Sequence, residues 1–160
     1  MAEKVMTDSQ HRVLVNYVRE VADKMGLRDW QFFIEKDYLV REPDRLAMTS
    51  VWGDSKTATI EFGESFFSTG PAMQREVVVH ECTHWHLDAA WRLVSAVVKE
   101  HMAPAAVDVM RTAYEQQMEL AVDGIASSWA RSFPLINWKS TAKLYTEAQR
   151  EQTIQPTHID

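Results

Sequence analysis

Gly70-Pro71-Ala72-Met73-Gln74-Arg75-Glu76-Val77-Val78-Val79-His80-Glu81-Cys82-Thr83-His84 is the stretch on which the reading of this chain turns. Proline suits the first turn of a helix, where its missing N–H would have had no intrahelical partner. The apolar run Val77-Val78-Val79 leads directly into His80-Glu81-Cys82-Thr83-His84, and nothing from Ala72 to Ala103 breaks a helix. On that helix His80 and His84 share a face, with Cβ atoms about 5–6 Å apart. Both rings can therefore reach one tetrahedral metal ion, while Glu81, turned away by about 100°, sits beside it rather than on it. Two ligands and an adjacent carboxylate thus come from a single turn of helix.

Two imidazoles leave a catalytic zinc one protein ligand short, since such sites generally use three and keep a fourth position open. A continuation with Gly at 87 and His at 90 is excluded, because those positions hold Leu87 and Ala90. His86, two residues past His84, points to nearly the opposite side of the helix and is a poor ligand. The segment Tyr114–Ala126 offers carboxylates instead: Glu115, Glu119 and Asp123 follow one another at intervals of four, beside an apolar stripe of Met118, Val122, Ile125 and Trp129. Taken alone, an acidic stripe of this kind faces water. Packed against the motif helix by its apolar stripe, the same helix can aim one carboxylate at the metal, and an acid four residues further on can hold an imidazole by its other N–H.

With His80-Glu81-Cys82-Thr83-His84 and Glu119-Leu120-Ala121-Val122-Asp123 in hand, the chain resembles the gluzincin metallopeptidases, whose HExxH is followed at a distance by Glu-x-x-x-Asp on a second helix. Its small size is similar to the minimal gluzincins, including the ImmA/IrrE-like proteins of bacteria and phages. About ten residues carry the resemblance directly, and the order of elements over residues 45–130 supports it. The resemblance implies a zincin-like fold, one zinc ion per chain held by His80, His84 and Glu119, catalysis by Glu81, and support from Asp123. Glu115-x-x-x-Glu119 is the alternative register, with Glu115 as the ligand. The preference for Glu119 rests on the Asp that follows it and on Ala126 and its small neighbours, which suit close helix packing.

The implied chemistry is hydrolysis of peptide bonds in an intracellular protein or peptide by a metal-activated water, with Glu81 as general base and then as proton donor to the leaving amine. Tyr114, His101, Tyr145 and His158 are the possible donors to the developing oxyanion. A zinc-containing peptide-binding or regulatory module without activity is the alternative. A carboxylate-bridged di-iron bundle is disfavoured, since it needs a second Glu-x-x-His that the chain lacks. Cys82 faces away from the two imidazoles and reads as a small apolar filler. His11, His101 and His158 are lone histidines, for which a surface or structural place is the default.

Upstream, Asp8 or Ser9 can cap a helix whose apolar residues Leu14, Tyr17, Val18, Val21 and Met25 recur at helical spacing and which Gly26 ends. Three extended segments follow, Trp30–Glu35, Leu46–Trp52 and Thr57–Phe62, with Arg41–Asp44 a loop, Gly53-Asp54-Ser55 a turn and Glu64–Gly70 a connection. If Thr57-Ala58-Thr59-Ile60-Glu61-Phe62 forms the sheet edge beside the cleft, its unpaired backbone can take an extended peptide by strand addition. Ala103-Pro104 separates the motif helix from a second long one, Ala105 to Arg131. Thr141–Arg150 is a weak helical segment before a polar end expected to be disordered.

The element order reads as α+β: an N-terminal helix, a small antiparallel or mixed three-stranded sheet, and the motif helix packed on C-terminal helices. A chain of 160 residues with 46% hydrophobic content is expected to form a single domain. A net charge of −6 without clusters of Lys and Arg argues against nucleic acid and anionic membranes as partners. The single Cys, no apolar signal-like N-terminus and no long apolar span lead to the expectation of a cytoplasmic protein, of bacterial or phage origin on the resemblance.

Overall fold

The computed structural model describes residues 5–38 and 44–140. Helix α1, Asp8–Lys24, is opened by Thr7 rather than by Asp8 or Ser9. Gln10 decides this: its backbone N–H donates to the Thr7 hydroxyl at 3.2 Å, and its side-chain oxygen accepts from the Thr7 N–H at 2.8 Å. Two otherwise orphaned N–H groups are satisfied by one reciprocal pair, which neither Asp8 nor Ser9 is spaced to make. The inner face buries Val13, Leu14, Tyr17, Val18, Val21 and Ala22. At the far end Leu27 N–H donates to the Ala22 carbonyl at 2.8 Å and Gly26 N–H to the Asp23 carbonyl at 3.2 Å, a pair of closing bonds that needs the positive φ of 82° at Gly26.

Strands β1 (Gln31–Ile34), β2 (Ala47–Trp52) and β3 (Thr57–Phe62) form a mixed sheet in the order β1-β3-β2, with β1 parallel and β2 antiparallel to β3. The fold is α+β as expected, but β3 is not an edge. Thr57, Ala58, Thr59, Ile60, Glu61 and Phe62 are paired with β2 on one flank, and Thr57 to Ile60 also with β1 on the other, so the expectation that this strand accepts a peptide is overturned. The physical reason lies in its inner face. Ala58, Ile60 and Phe62 are all fully buried, a density of burial that belongs to a strand covered on both flanks, whereas β1 buries only Ile34. Among the described residues the edge strands are β1 and β2.

Between β3 and the motif helix, Glu64–Ser68 forms a short 3-10 turn whose Phe66 packs on Phe62 with ring centroids 4.6 Å apart. Helix α2 runs from Pro71 to His101 and α3 from Pro104 to Trp129, broken at Ala103-Pro104 as read. Every buried residue of α2 lies between Gln74 and Asp88, and α3 buries only Val122 and Ala126. The first half of α2 is thus the central beam. Trp85 stacks on Trp30 at 5.7 Å and donates its indole N–H to the Thr49 hydroxyl at 3.0 Å, which in turn donates to the Thr59 carbonyl at 3.2 Å. That relay joins α2 to β2 and β3 at one level.

His86, with its proton on Nε2, donates to the Met25 carbonyl at 2.8 Å and so closes the end of α1. His11 meets the Ile34 carbonyl at 3.0 Å and serves the α1–β1 contact in the same way. After α3 the chain returns across the core: Phe133 and Ile136 are buried, Tyr17 donates to the Pro134 carbonyl at 2.6 Å, and Trp138 donates to Gln74 at 2.9 Å. Most of the Arg41–Asp44 loop, and the Thr141–Arg150 helical segment with the tail beyond it, lie outside the described residues. No helix among the described residues is long and apolar enough to cross a membrane.

Two glycines are required for different reasons. Gly26 has open space where a Cβ would stand, so Gly26→Ala should cost only the left-handed backbone, about 1 kcal/mol. Gly63 has an ordinary φ of −73°, but a Cβ there would press into the Arg45 backbone carbonyl. Gly63→Ala should therefore cost about 1–3 kcal/mol through backbone displacement. Urea denaturation of both variants checks the order of the two.

Candidate metal centre

One turn of α2 sets the geometry. Val78, Val79, Cys82 and Trp85 hold its inner face in the core, which leaves His80 and His84 on the adjoining face toward α3 and the cleft. Their Nε2 atoms lie 3.1 Å apart, aimed at a common point. Glu119, from α3, brings Oε2 to 3.4 Å from His80 Nε2 and Oε1 to 3.6 Å from His84 Nε2. The three ligand atoms lie within 4.8 Å of one another, and among the described residues these three side chains form a group able to hold a metal ion. Tetrahedral zinc with bonds of roughly 2.0–2.1 Å requires ligand atoms roughly 3.3–3.4 Å apart. The observed separations match that spacing, so the residues fit such an ion.

Asp123, one turn beyond Glu119, places Oδ1 3.0 Å from His80 Nδ1. This contact holds the Nδ1 proton and leaves the Nε2 lone pair for the metal point, the tautomer a ligand must have. Burial, the largest cause, lowers the pKa of His84 and favours its neutral form, with Glu119 opposing and His80 reinforcing. Glu115 lines the same cleft but is not part of the three-residue group. The two registers open in the sequence are thereby told apart by position: Glu119 meets both imidazoles and Glu115 does not.

Glu81 is buried, only 4% exposed, on the cleft side of β2. Its carboxyl pKa is pushed up to about 8, first by burial and then by the charge of Glu119. Arg45 and a hydrogen bond from the Thr49 backbone N–H oppose the rise. Cys82 is wholly buried behind it, and burial pushes its thiol far above the ordinary value, which suits a filler and not a nucleophile.

The cleft has a volume of about 370 Å³ and runs between β2 and the α2/α3 pair. Ala47, Met48, Thr49 and Val51 form one wall; Leu87, Asp88, Trp91 and Met118 lie opposite. Arg45, Asp88 and Trp91 are lining residues that sequence reasoning missed. Asp88 had a signal, since it stands four residues after His84 on the same helical face, and it is held by Arg92 at 2.7 Å. Arg45 had none, because only the packing of β2 against α2 brings it near Glu81.

Tyr114 stacks on Trp91 at 5.3 Å and lines a neighbouring groove between α2 and α3 instead of the cleft. His101 is exposed at the far end of α2, beside Glu100. Neither is placed to act on a substrate at Glu81. Tyr145 and His158 lie outside the described residues.

Two outcomes follow from this geometry. After zinc loading and desalting, elemental mass spectrometry should find about one zinc per chain in the wild type and in Glu115→Ala but almost none in Glu119→Ala. Asp123→Asn should retain the site with zinc affinity weakened about 10- to 100-fold in a chelator competition. A third outcome, from the electrostatics of Glu81, concerns metal-free protein. A folded-state pKa of about 8 for Glu81, above its ordinary 4.5, means the folded state keeps a proton that the unfolded state has lost over that interval. Stability should then fall as pH rises from about 5 to 8. Glu81→Gln should remove this slope, melting several degrees above the metal-free wild type at pH 8 with the gap closing near pH 5.

In comparisons with known proteins, no protein-family model matches the chain, and no curated protein and no solved structure is significantly similar to it.

Proposed function

We propose that this chain is a zinc-dependent metallopeptidase of the minimal gluzincin kind, with zincin-like packing of α2 and α3, hydrolysing peptide bonds of an intracellular protein or peptide. The observation that carries the reading is the convergence of His80, His84 and Glu119 on one point beside the buried Glu81, at the floor of a cleft bounded by a sheet-edge strand. His80, His84 and Glu119 would hold the ion, and two imidazoles with one carboxylate are a donor set that suits zinc. Bound there, zinc supplies Lewis acidity, lowering the pKa of water and polarising a carbonyl.

The remaining steps belong to the chain. Glu81 accepts a proton from the attacking water and later gives it to the leaving amine, and its buried place beside the three converging side chains suits both transfers. Asp123 keeps His80 in its ligating tautomer. Strand β2 takes the role expected of β3: among the described residues it is paired with β3 on one flank only, and its residues line the cleft, so an extended substrate can lie along it by strand addition. Thr49 and Trp85 hold that strand at its distance from α2.

A peptide-binding module without activity would use the same wall and the same ion. Against it stands the cost of Glu81, since a binding site gains nothing from a buried carboxyl that destabilises the fold. The two readings separate on Glu81→Gln. Zinc-loaded wild type incubated with a mixture of unstructured synthetic peptides should yield fragments detected by mass spectrometry. A chelator should abolish them, added zinc should restore them, and Glu81→Gln should reduce the rate by at least about 10²-fold with its zinc content intact. Cleavage retained in Glu81→Gln, or absent in zinc-loaded wild type, would remove the peptidase reading.

A further inference from the structure

An amide carbonyl under attack in this cleft develops negative charge on its oxygen, and the surroundings oppose it. Glu81, Asp88, Glu115 and Glu119 all line the space. Among the described residues that line it, the only Lys or Arg is Arg45. Resting on the peptidase reading above, we propose that Arg45 stabilises this oxyanion from the β2 side of the cleft.

Three observations support the assignment. Arg45 lines the same cleft as Glu81 and His84, and its charge reaches both. Its backbone is fixed: the Arg45 carbonyl lies where Gly63 has no side chain, and the next residue, Leu46, accepts the Gly63 N–H at 2.8 Å. Arg45 thus stands two residues before β2, its side chain exposed and its main chain set against Gly63. Finally, Tyr114 and His101 lie away from the cleft.

The step balances without any other reactant. The water oxygen forms a bond to the carbonyl carbon, the carbonyl electron pair moves to its oxygen, and Glu81 takes the water proton. Arg45 donates hydrogen bonds to that oxygen and transfers no proton, since a guanidinium stays charged. Collapse reforms the carbonyl and breaks the C–N bond, and Glu81 protonates the departing nitrogen, giving a carboxylic acid and an amine. A cationic donor at this wall acts mainly on the charged state and little on the neutral substrate.

The test uses the full chain, zinc-loaded, with the most rapidly cleaved peptide of the synthetic mixture. Arg45→Met should keep its zinc content and lower kcat about 10²- to 10³-fold while KM stays within about two-fold. Arg45→Lys should restore part of the rate. Should Arg45→Met lose its fold, Arg45→Gln carries the same comparison. A rise in KM with kcat unchanged would overturn the proposal in favour of ground-state binding, and unchanged kinetics would overturn it outright. Zinc-bound wild type that cleaves no peptide would instead defeat the peptidase reading, and this inference with it.

Discussion

Everything at the candidate centre depends on where α2 stands, and one hydrogen-bond relay decides that: Trp85 indole N–H to the Thr49 hydroxyl, and Thr49 to the Thr59 carbonyl. A buried indole N–H left without an acceptor costs about 1–3 kcal/mol, so the helix is held at the one rotation and height that satisfies it. Trp85 lies on the turn that carries His84, and Thr49 on the strand that walls the cleft. The packing contact and the chemical site therefore share a reference point. A change in the depth of Trp85 would move both imidazoles relative to β2.

The second constraint is electrostatic. The chain gathers carboxyl groups around two imidazoles, one of which, His84, burial keeps from charging easily. Such an arrangement is unfavourable in isolation, because each carboxylate raises the proton affinity of the next. At Glu81 burial first, and the charge of Glu119 second, push the pKa up. A divalent cation among His80, His84 and Glu119 would turn repulsion into attraction, which gives the centre a physical use for its surplus of negative groups.

Beyond Asp88 the architecture changes character. From Ala89 to Ala121 no residue is buried, and α2 and α3 lean mainly on each other, with Trp91 stacked on Tyr114 and Arg92 bonded to Asp54 of the β2–β3 turn. Leu93, Val97, Val109 and Leu120 stand exposed along the two helices. Glu115 and Glu119 sit on this less buried stretch of α3, while Val122 and Ala126 just beyond them dock the helix onto the core. The small side chain at Ala126 permits that approach, as its place in the sequence suggested. Glu119 is close enough to the docked turn to be positioned by it; Glu115 is one turn further out.

What the sequence determined by itself is what short-range periodicity determines. A 3.6-residue repeat puts His80 and His84 on one face, Glu81 beside them, and Glu119 and Asp123 one turn apart, and Gly26, Pro71 and Pro104 mark where helices end or begin. Aromatic content in the first, a mixed run in the second and alternation in the third located the strands to within a residue at each end. Strand order was not legible, because pairing partners are chosen by long-range burial: the inward set Ala58, Ile60 and Phe62 drew β3 to the centre and left β2 as the edge at the cleft. Nor could local pattern choose Thr7 over Asp8 and Ser9 by cap preference alone, since all three residue types cap and the reciprocal bond to Gln10 decides. Only the tertiary structure brought Glu119 rather than Glu115 to the imidazoles and set Arg45 opposite Glu81, for the same reason in each case. A side chain's distance from another element depends on how whole elements pack, and no spacing along one segment contains that information.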